Sequence, residues 1–529
     1  MRRKQLLIAF MYLCLIAGCL GVVMFVRYLA GRPEDLLQTE APLLPSGDDP
    51  LQENKKPVPE PADEEITEDQ EQNRRPWKEA YHYWHWESPE EDMTEPEAPY
   101  QPPVIMLASD LHYMSEAMHD DGKAFQKMTA EDDGKANHYS DAVIDALLAE
   151  AVTTEPSALV LPGDITHNGE LINHLELAEK LRRVQEAGIQ VLVIPGNHDI
   201  NNKNAATYFG DLKEEAEYLA DAEAFLKIYH LFGYDQAISR DEASLSYIYA
   251  LDENHWMMMI DSCQYEDYNH VNGRLKPATM EWMAEQLKLA AGLGITVLPV
   301  AHHNLLSESR LYTTECTMEN HLEVVDLLEE YELPLYISGH LHAQRIKKHK
   351  SEPSVPDEAY GITEIVLSPF CLSPNQYGYL AWDLTGNMNF LTRRTDVAAY
   401  AREIGSEDEN LLNFTEYGVN YLKTVIKEQA LQTIHSVPDD IKEEMAQLYA
   451  DLYFNYCAGN RMVQDAVISE RSYKLWQRVL PDSTYVKEMG QMMEDVKEDH
   501  HDWRREMTIP EEAEEDDDET ADDWSDSAV

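Results

Sequence analysis

The chain has 529 residues, 43% of them hydrophobic, and a formal net charge of −57 from 99 acidic and 42 basic side chains. That length accommodates two or three domains, and that apolar content excludes a chain disordered throughout. So acidic a surface repels polyanions and excludes long nucleic acid as a partner, yet leaves a small phosphate ester open, because bound cations invert the field locally.

In chain order, Arg2, Arg3 and Lys4 precede an uncharged apolar run from Leu6 to Val26. As a helix it spans ~30 Å at ~1.5 Å per residue, the thickness of a hydrocarbon core. With the positive cluster kept in the cytoplasm, residues 1–30 are expected to form a single-pass anchor or signal, and the rest to lie outside the membrane. Ile16-Ala17-Gly18-Cys19 also resembles a bacterial lipobox, which would instead tether the chain through a lipidated Cys19 on the same side. Residues 31–102 read as an acidic, Pro-rich linker. Its aromatic patch (Trp77, Tyr81, Tyr83, Trp84 and Trp86) is expected to pack on the following domain. The six cysteines include no CxxC pair, so isolated thiols are expected, with one disulfide left open.

From Val104 short apolar runs alternate with helical ones, the pattern of an α/β layer fold. Strands are predicted at Val104–Ala108, Ala158–Leu161, Gln190–Ile194, Ser246–Ala250, Trp256–Ile260, Thr296–Val300, Leu335–Ile337, Thr363–Leu367 and Tyr379–Trp382. A hairpin is predicted around Thr385-Gly386-Asn387. Helices are predicted at Ser140–Ala151, Leu171–Glu186, Ala222–His230, Pro277–Ala291 and Glu319–Tyr331. Beyond residue 395 the spacing turns helical (Tyr417–Glu428, Asp440–Tyr456, Met462–Ile468, Ser483–Asp499), so residues 396–510 are expected to form a small helical domain. Residues 511–529 read as a disordered acidic tail.

Five polar motifs follow predicted strands in order. Ser109-Asp110-Leu111-His112 places Asp110 and His112 two apart, on one side if the backbone is extended. In Gly163-Asp164-Ile165-Thr166-His167-Asn168-Gly169, the glycine before Asp164 permits a sharp turn and close backbone approach. Pro195-Gly196-Asn197-His198-Asp199 offers an amide oxygen as a neutral ligand, and leaves His198, held by Asp199, for another task. In Ala301-His302-His303-Asn304 neighbouring side chains diverge, so at most one histidine serves a shared site. Gly339-His340-Leu341-His342 supplies two more imidazoles. Each motif alone is common. All five at successive strand ends describe one site with mixed N and O donors, suited to two divalent metals.

This set of DxH, GD, GNHD, H and GHxH resembles the calcineurin-like metallophosphoesterase family, over roughly residues 103–395. It is most similar to an anchored bacterial branch that carries a C-terminal helical domain. The resemblance implies a four-layer β-sandwich flanked by helices, with the small helical domain appended. It implies that Asp110, His112 and His342 hold one metal, that Asn197, His302 and His340 hold the second, and that Asp164 bridges them. His198 would be catalytic, beside the substrate phosphate, and His303 is given no role. The ions implied are Mn, Fe or Zn.

The expected chemistry is hydrolysis of phosphate esters by a hydroxide shared between the two ions, with His198 assisting the departing alkoxide. The expected substrate is a small nucleotide-like phosphodiester outside the cytoplasmic membrane. A broad phosphomonoesterase and a non-catalytic surface binding protein with a structural metal site are the competing expectations. A protein partner for the helical domain is left open.

Overall fold

The computed structural model describes residues 100–506 except 267, 308, 350–360 and 436. The expected anchor with Cys14 and Cys19, the linker through residue 99 with its aromatic patch, and the acidic tail lie outside the described residues. Among the described residues, no helix is long and apolar enough to cross a membrane.

The described strands are, in chain order, β1 (Val104–Leu107), β2 (Ala158–Pro162), β3 (Gln190–Ile194), β4 (Ala206–Phe209), β5 (Leu212–Glu215), β6 (Ser239–Arg240), β7 (Tyr247–Ala250), β8 (His255–Ile260), β9 (Thr296–Ala301), β10 (Leu335–Ser338), β11 (Arg345–Lys348), β12 (Thr363–Val366), β13 (Gln376–Trp382), β14 (Met388–Arg394) and β15 (Asp502–Arg505). One sheet has the order β15-β14-β13-β1-β2-β3, a second β11-β12-β10-β9-β8-β7-β6, and β4-β5 is a separate hairpin. β1, β2 and β3 are parallel, as are β8, β9, β10 and β12.

The two large sheets share a core. Successive residues of β8 show how: Met257 and Met259 join the cluster that contains Ile105, Val160 and Val193, whereas Met258 and Ile260 join the cluster beneath helices Pro277–Leu293 and His321–Glu330. That period-2 switch is what a strand buried on both faces produces. Helices Ser140–Thr154 and Leu171–Glu186 pack on the first sheet through residues such as Leu147, Leu177 and Leu181. The result is helix, sheet, sheet, helix, the four layers expected.

Helices from Val397 to Asp495 follow β14. Their core of Tyr449, Tyr456, Trp476, Met489 and Met492 also takes in Leu341 and Val366 from the α/β layers. One boundary needs correction. The helical stretch ends at Asp495 and the chain returns as β15, which pairs with β14 in the register Phe390↔Trp503. Trp503 joins the inter-sheet core, and its burial explains why this short charged segment settles as an edge strand. Cys263, Cys316, Cys371 and Cys457 are all free thiols.

Candidate metal centre

Because β1, β2, β3, β9 and β10 run in parallel sets, the loops at their C-terminal ends open on one side of the sandwich. That is where the five motifs lie. The backbone there is not extended as the sequence spacing implied. Asp110, His112, Asp164, His340 and His342 have φ of 54°, 45°, 47°, 66° and 54°. Left-handed conformations cost a non-glycine residue about 1–3 kcal/mol each and persist where the surroundings over-determine them. It is this strain, not strand alternation, that turns Asp110 and His112 inward together. It also sends His340 and His342 to different donor sets. Glycines make room: a Cβ on Gly339 would strike Ser109 Oγ, and one on Gly163, at φ 85°, would strike the His302 ring.

Two donor sets result. Asp110, His112, Asp164 and His342 each bring a ligand atom to within 4.8 Å of the others, and Asp164, His302 and His340 do likewise. Asn197 Oδ1 lies 3.2 Å from His302 Nε2 and so joins the second set. Asp164 belongs to both, its Oδ2 3.2 Å from His302 Nε2 and 3.8 Å from His112 Nε2. All seven residues singled out as ligands therefore meet. Several donor atoms face like atoms, with His112 and His342 Nε2 3.1 Å apart and His340 Nδ1 3.2 Å from His302 Nε2. Carboxylate, amide and imidazole donors crowded in this way fit divalent cations.

The carboxylates and imidazoles of the two sets shift one another's protonation strongly. Burial would raise Asp164, but His302 and His198 hold it well below the usual carboxylate range. Burial lowers the His342 ring, yet its bonds to Asp110 and Asp133 prevail and hold it at about 10. His302 shows the same contest, with Asp164 raising it to about 9. Burial and neighbouring His302 push His340 down to about 4.

Three of the four donor imidazoles are aimed by a second partner. His342 Nδ1 meets Asp133 Oδ2 at 2.7 Å, and Asp133 is in turn paired with Lys135 at 2.7 Å. His302 Nδ1 donates to Pro162 O at 3.0 Å, and His340 Nε2 to Glu315 O at 2.8 Å. The second partner of a donor histidine fixes its tautomer and orientation. The buried Glu364 carboxylate steadies the loop after His302 by accepting Leu305 and Leu306 N–H at 2.8 and 2.7 Å. His303 turns away, bonding Ser262 Oγ at 2.7 Å and Val271 O at 2.9 Å.

His198 sits beside the donors, its ring edge-on to His112 with centroids 4.7 Å apart. Asp199 does not hold it, contrary to the sequence reading. His198 Nδ1 lies 2.8 Å from His167 O and 2.9 Å from Asn168 Oδ1. Asp199 instead caps backbone, accepting Thr166 N–H at 2.9 Å and Gly196 N–H at 2.8 Å. Asn168 and Asp133 are the residues that sequence reasoning missed. Asn168 stood in a noted motif, but no spacing tied it to His198. Asp133 lies in a loop far from every motif and carried no signal.

Two cavities open over the cluster. One, of about 380 Å³, is lined by Asp164, Asn197, His198, Thr313, Thr314 and His340. The other, of about 620 Å³, is lined by His112, His198, Lys127, Lys213, Asn168 and Asn204. His198 borders both.

Residues 103–344 match the model of the calcineurin-like phosphoesterase family. Residues 396–499 match the model of the C-terminal domain of cyclic nucleotide phosphodiesterase. A probable cyclic nucleotide phosphodiesterase of Ruthia magnifica subsp. Calyptogena magnifica is 40% identical over 63 residues, 12% of this chain. The chain spans only 25% of the length of that curated relative. Among solved structures, a dimetal phosphatase from Danio rerio is similar over 56% of this chain and 97% of its own, with 14% identity and a TM-score of 0.41. A purple acid phosphatase from yellow lupin (Lupinus luteus) seeds is similar over 55% of this chain and 51% of its own, with 12% identity and a TM-score of 0.35.

Proposed function

We propose that this chain hydrolyses small phosphodiesters at a two-metal centre. Asp110, His112 and His342 would hold one cation, Asn197, His302 and His340 the other, with Asp164 shared. The observation that carries the reading is Asp164, buried and common to two donor sets built from five separate loops. When bound, two such cations lower the pKa of an attacking water and neutralise charge on the phosphate oxygens. Manganese, iron and zinc all suit the donors.

The protein's own groups do the rest. His198 presents Nε2 towards the cavity, because Nδ1–H is committed to Asn168 and the His167 carbonyl. Protonated, it gives its proton to the departing alkoxide. The Asp164 carboxylate also accepts the backbone N–H of His198 at 2.7 Å, which ties the residue that carries the proton donor to the shared ligand. The larger cavity beyond His198 has room for the alcohol portion of the ester.

The diester is preferred to a monoester because the helical region matches a model named for cyclic nucleotide phosphodiesterase, and the curated relative is named a probable cyclic nucleotide phosphodiesterase. We place the site outside the cytoplasmic membrane, tethered by the apolar Leu6–Val26 run behind Arg2, Arg3 and Lys4. The test is metal analysis of the purified chain, followed by turnover of a cyclic nucleotide and of a nucleoside monophosphate. Two cations and faster cleavage of the cyclic diester are expected. A chain with no bound metal, or one that cleaves only the monoester, overturns the reading.

A further inference from the structure

The wall of the smaller cavity that includes Tyr312, Thr313, Thr314 and Glu315 belongs to no helix or strand. It is held from outside the sandwich. Asp495, the last residue of the helix Thr484–Asp495, accepts the Arg310 N–H at 2.9 Å, the Leu311 N–H at 3.4 Å and the Ser309 hydroxyl at 3.2 Å. Gln491 of the same helix donates to the Arg310 carbonyl. Ser309 Oγ also meets the Tyr456 hydroxyl at 3.1 Å and accepts the Tyr312 N–H at 3.1 Å. Leu311 and Cys316 pack on the helical core.

The far end of this wall touches a donor histidine. Glu315, at φ 67°, turns its carbonyl to accept the His340 Nε2–H at 2.8 Å. A ring whose Nε2–H is so committed presents Nδ1 as a bare lone pair. His340 Nδ1 is the atom that lies 3.2 Å from His302 Nε2, inside the second donor set. The same helical core grips the motif from its other side, since Leu341, between the two donor histidines, is buried in it.

We propose that Asp495 is a positioning residue for the metal centre. By clamping residues 309–311 it sets the Glu315 carbonyl, and through that the tautomer and aim of His340. The inference rests on the reading of His340 as a metal ligand. It makes the helical region a working part of the esterase, not a module that docks a partner independently.

The test titrates Mn²⁺ into the metal-free full chain and measures turnover at limiting and at excess Mn²⁺. Asp495→Ala should weaken one of two binding steps by about ten-fold, the low end of the loss usual when a metal ligand loses its outer partner, here the Glu315 carbonyl that Asp495 sets. Excess Mn²⁺ should restore kcat, which a general loss of structure would not allow. Asp495→Asn keeps an acceptor oxygen and should recover part of the affinity. Arg471→Ala, which breaks only a surface pair with Glu444 in the helical region, should bind both ions as the wild type does. Two unchanged binding steps in Asp495→Ala, or equal weakening of both, overturns the proposal. Should that variant not fold, Gln491→Ala, which removes a single bond to the wall, decides by the same criterion with a loss of a few fold. A wild-type chain that takes up no Mn²⁺ overturns the esterase reading together with this one.

Discussion

Replacing Asp133 should weaken one metal and spare the other. Its carboxylate is 2.7 Å from His342 Nδ1, so it orients Nε2 towards Asp110, 3.5 Å away, and raises the basicity of the ring. Loss of such a partner usually lowers metal affinity by about 10–100-fold, or ~1.4–2.8 kcal/mol. The fold should survive, because buried Lys135 keeps Asp132 at 2.9 Å and is not left as an unpaired charge. Asp133→Ala should therefore show one weakened step in a Zn²⁺ competition titration, with the step assigned to Asn197, His302 and His340 unchanged. Asp133→Asn, which retains an acceptor but not the charge, should fall between the two. Unaltered affinity at both steps would refute the argument that the loop at 132–135 serves the site.

Other outcomes follow from the same geometry. His198→Ala should lose about 10²–10⁴-fold in kcat while binding its metals normally, as checked by metal analysis beside steady-state kinetics. The loss should be largest for esters with the poorest leaving groups. Asp164→Ala should abolish turnover and release both cations, since that carboxylate serves both sets. Acid should destabilise the chain through His174, which burial pushes down to about 4 while its ring bonds Asp199 O at 2.9 Å and Tyr229 Oη at 3.0 Å. The unfolded ring takes up a proton near 6.5 and the folded one does not, so stability present above that pH is lost as pH falls towards 4. The loss amounts to ~3 kcal/mol. Denaturant melts at pH 7 and pH 4 should show a smaller drop for His174→Gln than for the wild type.

The inner strands were legible in the sequence because their burial leaves an unbroken apolar record. β3 and the helix Leu171–Glu186 occur where their periodicity placed them. Segments whose polarity is satisfied by tertiary partners were not legible. β11 reads Arg345-Ile346-Lys347-Lys348, yet Lys347 is buried, donating to Leu306 O at 2.7 Å beside Glu364. β5 is exposed at every position and has no apolar face to betray it. In the site, the seven donors were legible because they are local motifs at strand ends. What aims them was not. Asp133, Asn168 and the Glu315 carbonyl reach His342, His198 and His340 only through the fold. The left-handed backbone at five donors likewise leaves no mark in residue type, since glycine stands at none of them.

The central claim is most directly tested by anomalous diffraction from crystals of the metal-loaded chain. Two peaks ~3.5–4 Å apart are predicted, with the Asp164 carboxylate between them, one peak against Asp110, His112 and His342 and the other against Asn197, His302 and His340. A single peak that leaves one of these sets empty, or ions bound elsewhere, would contradict the account.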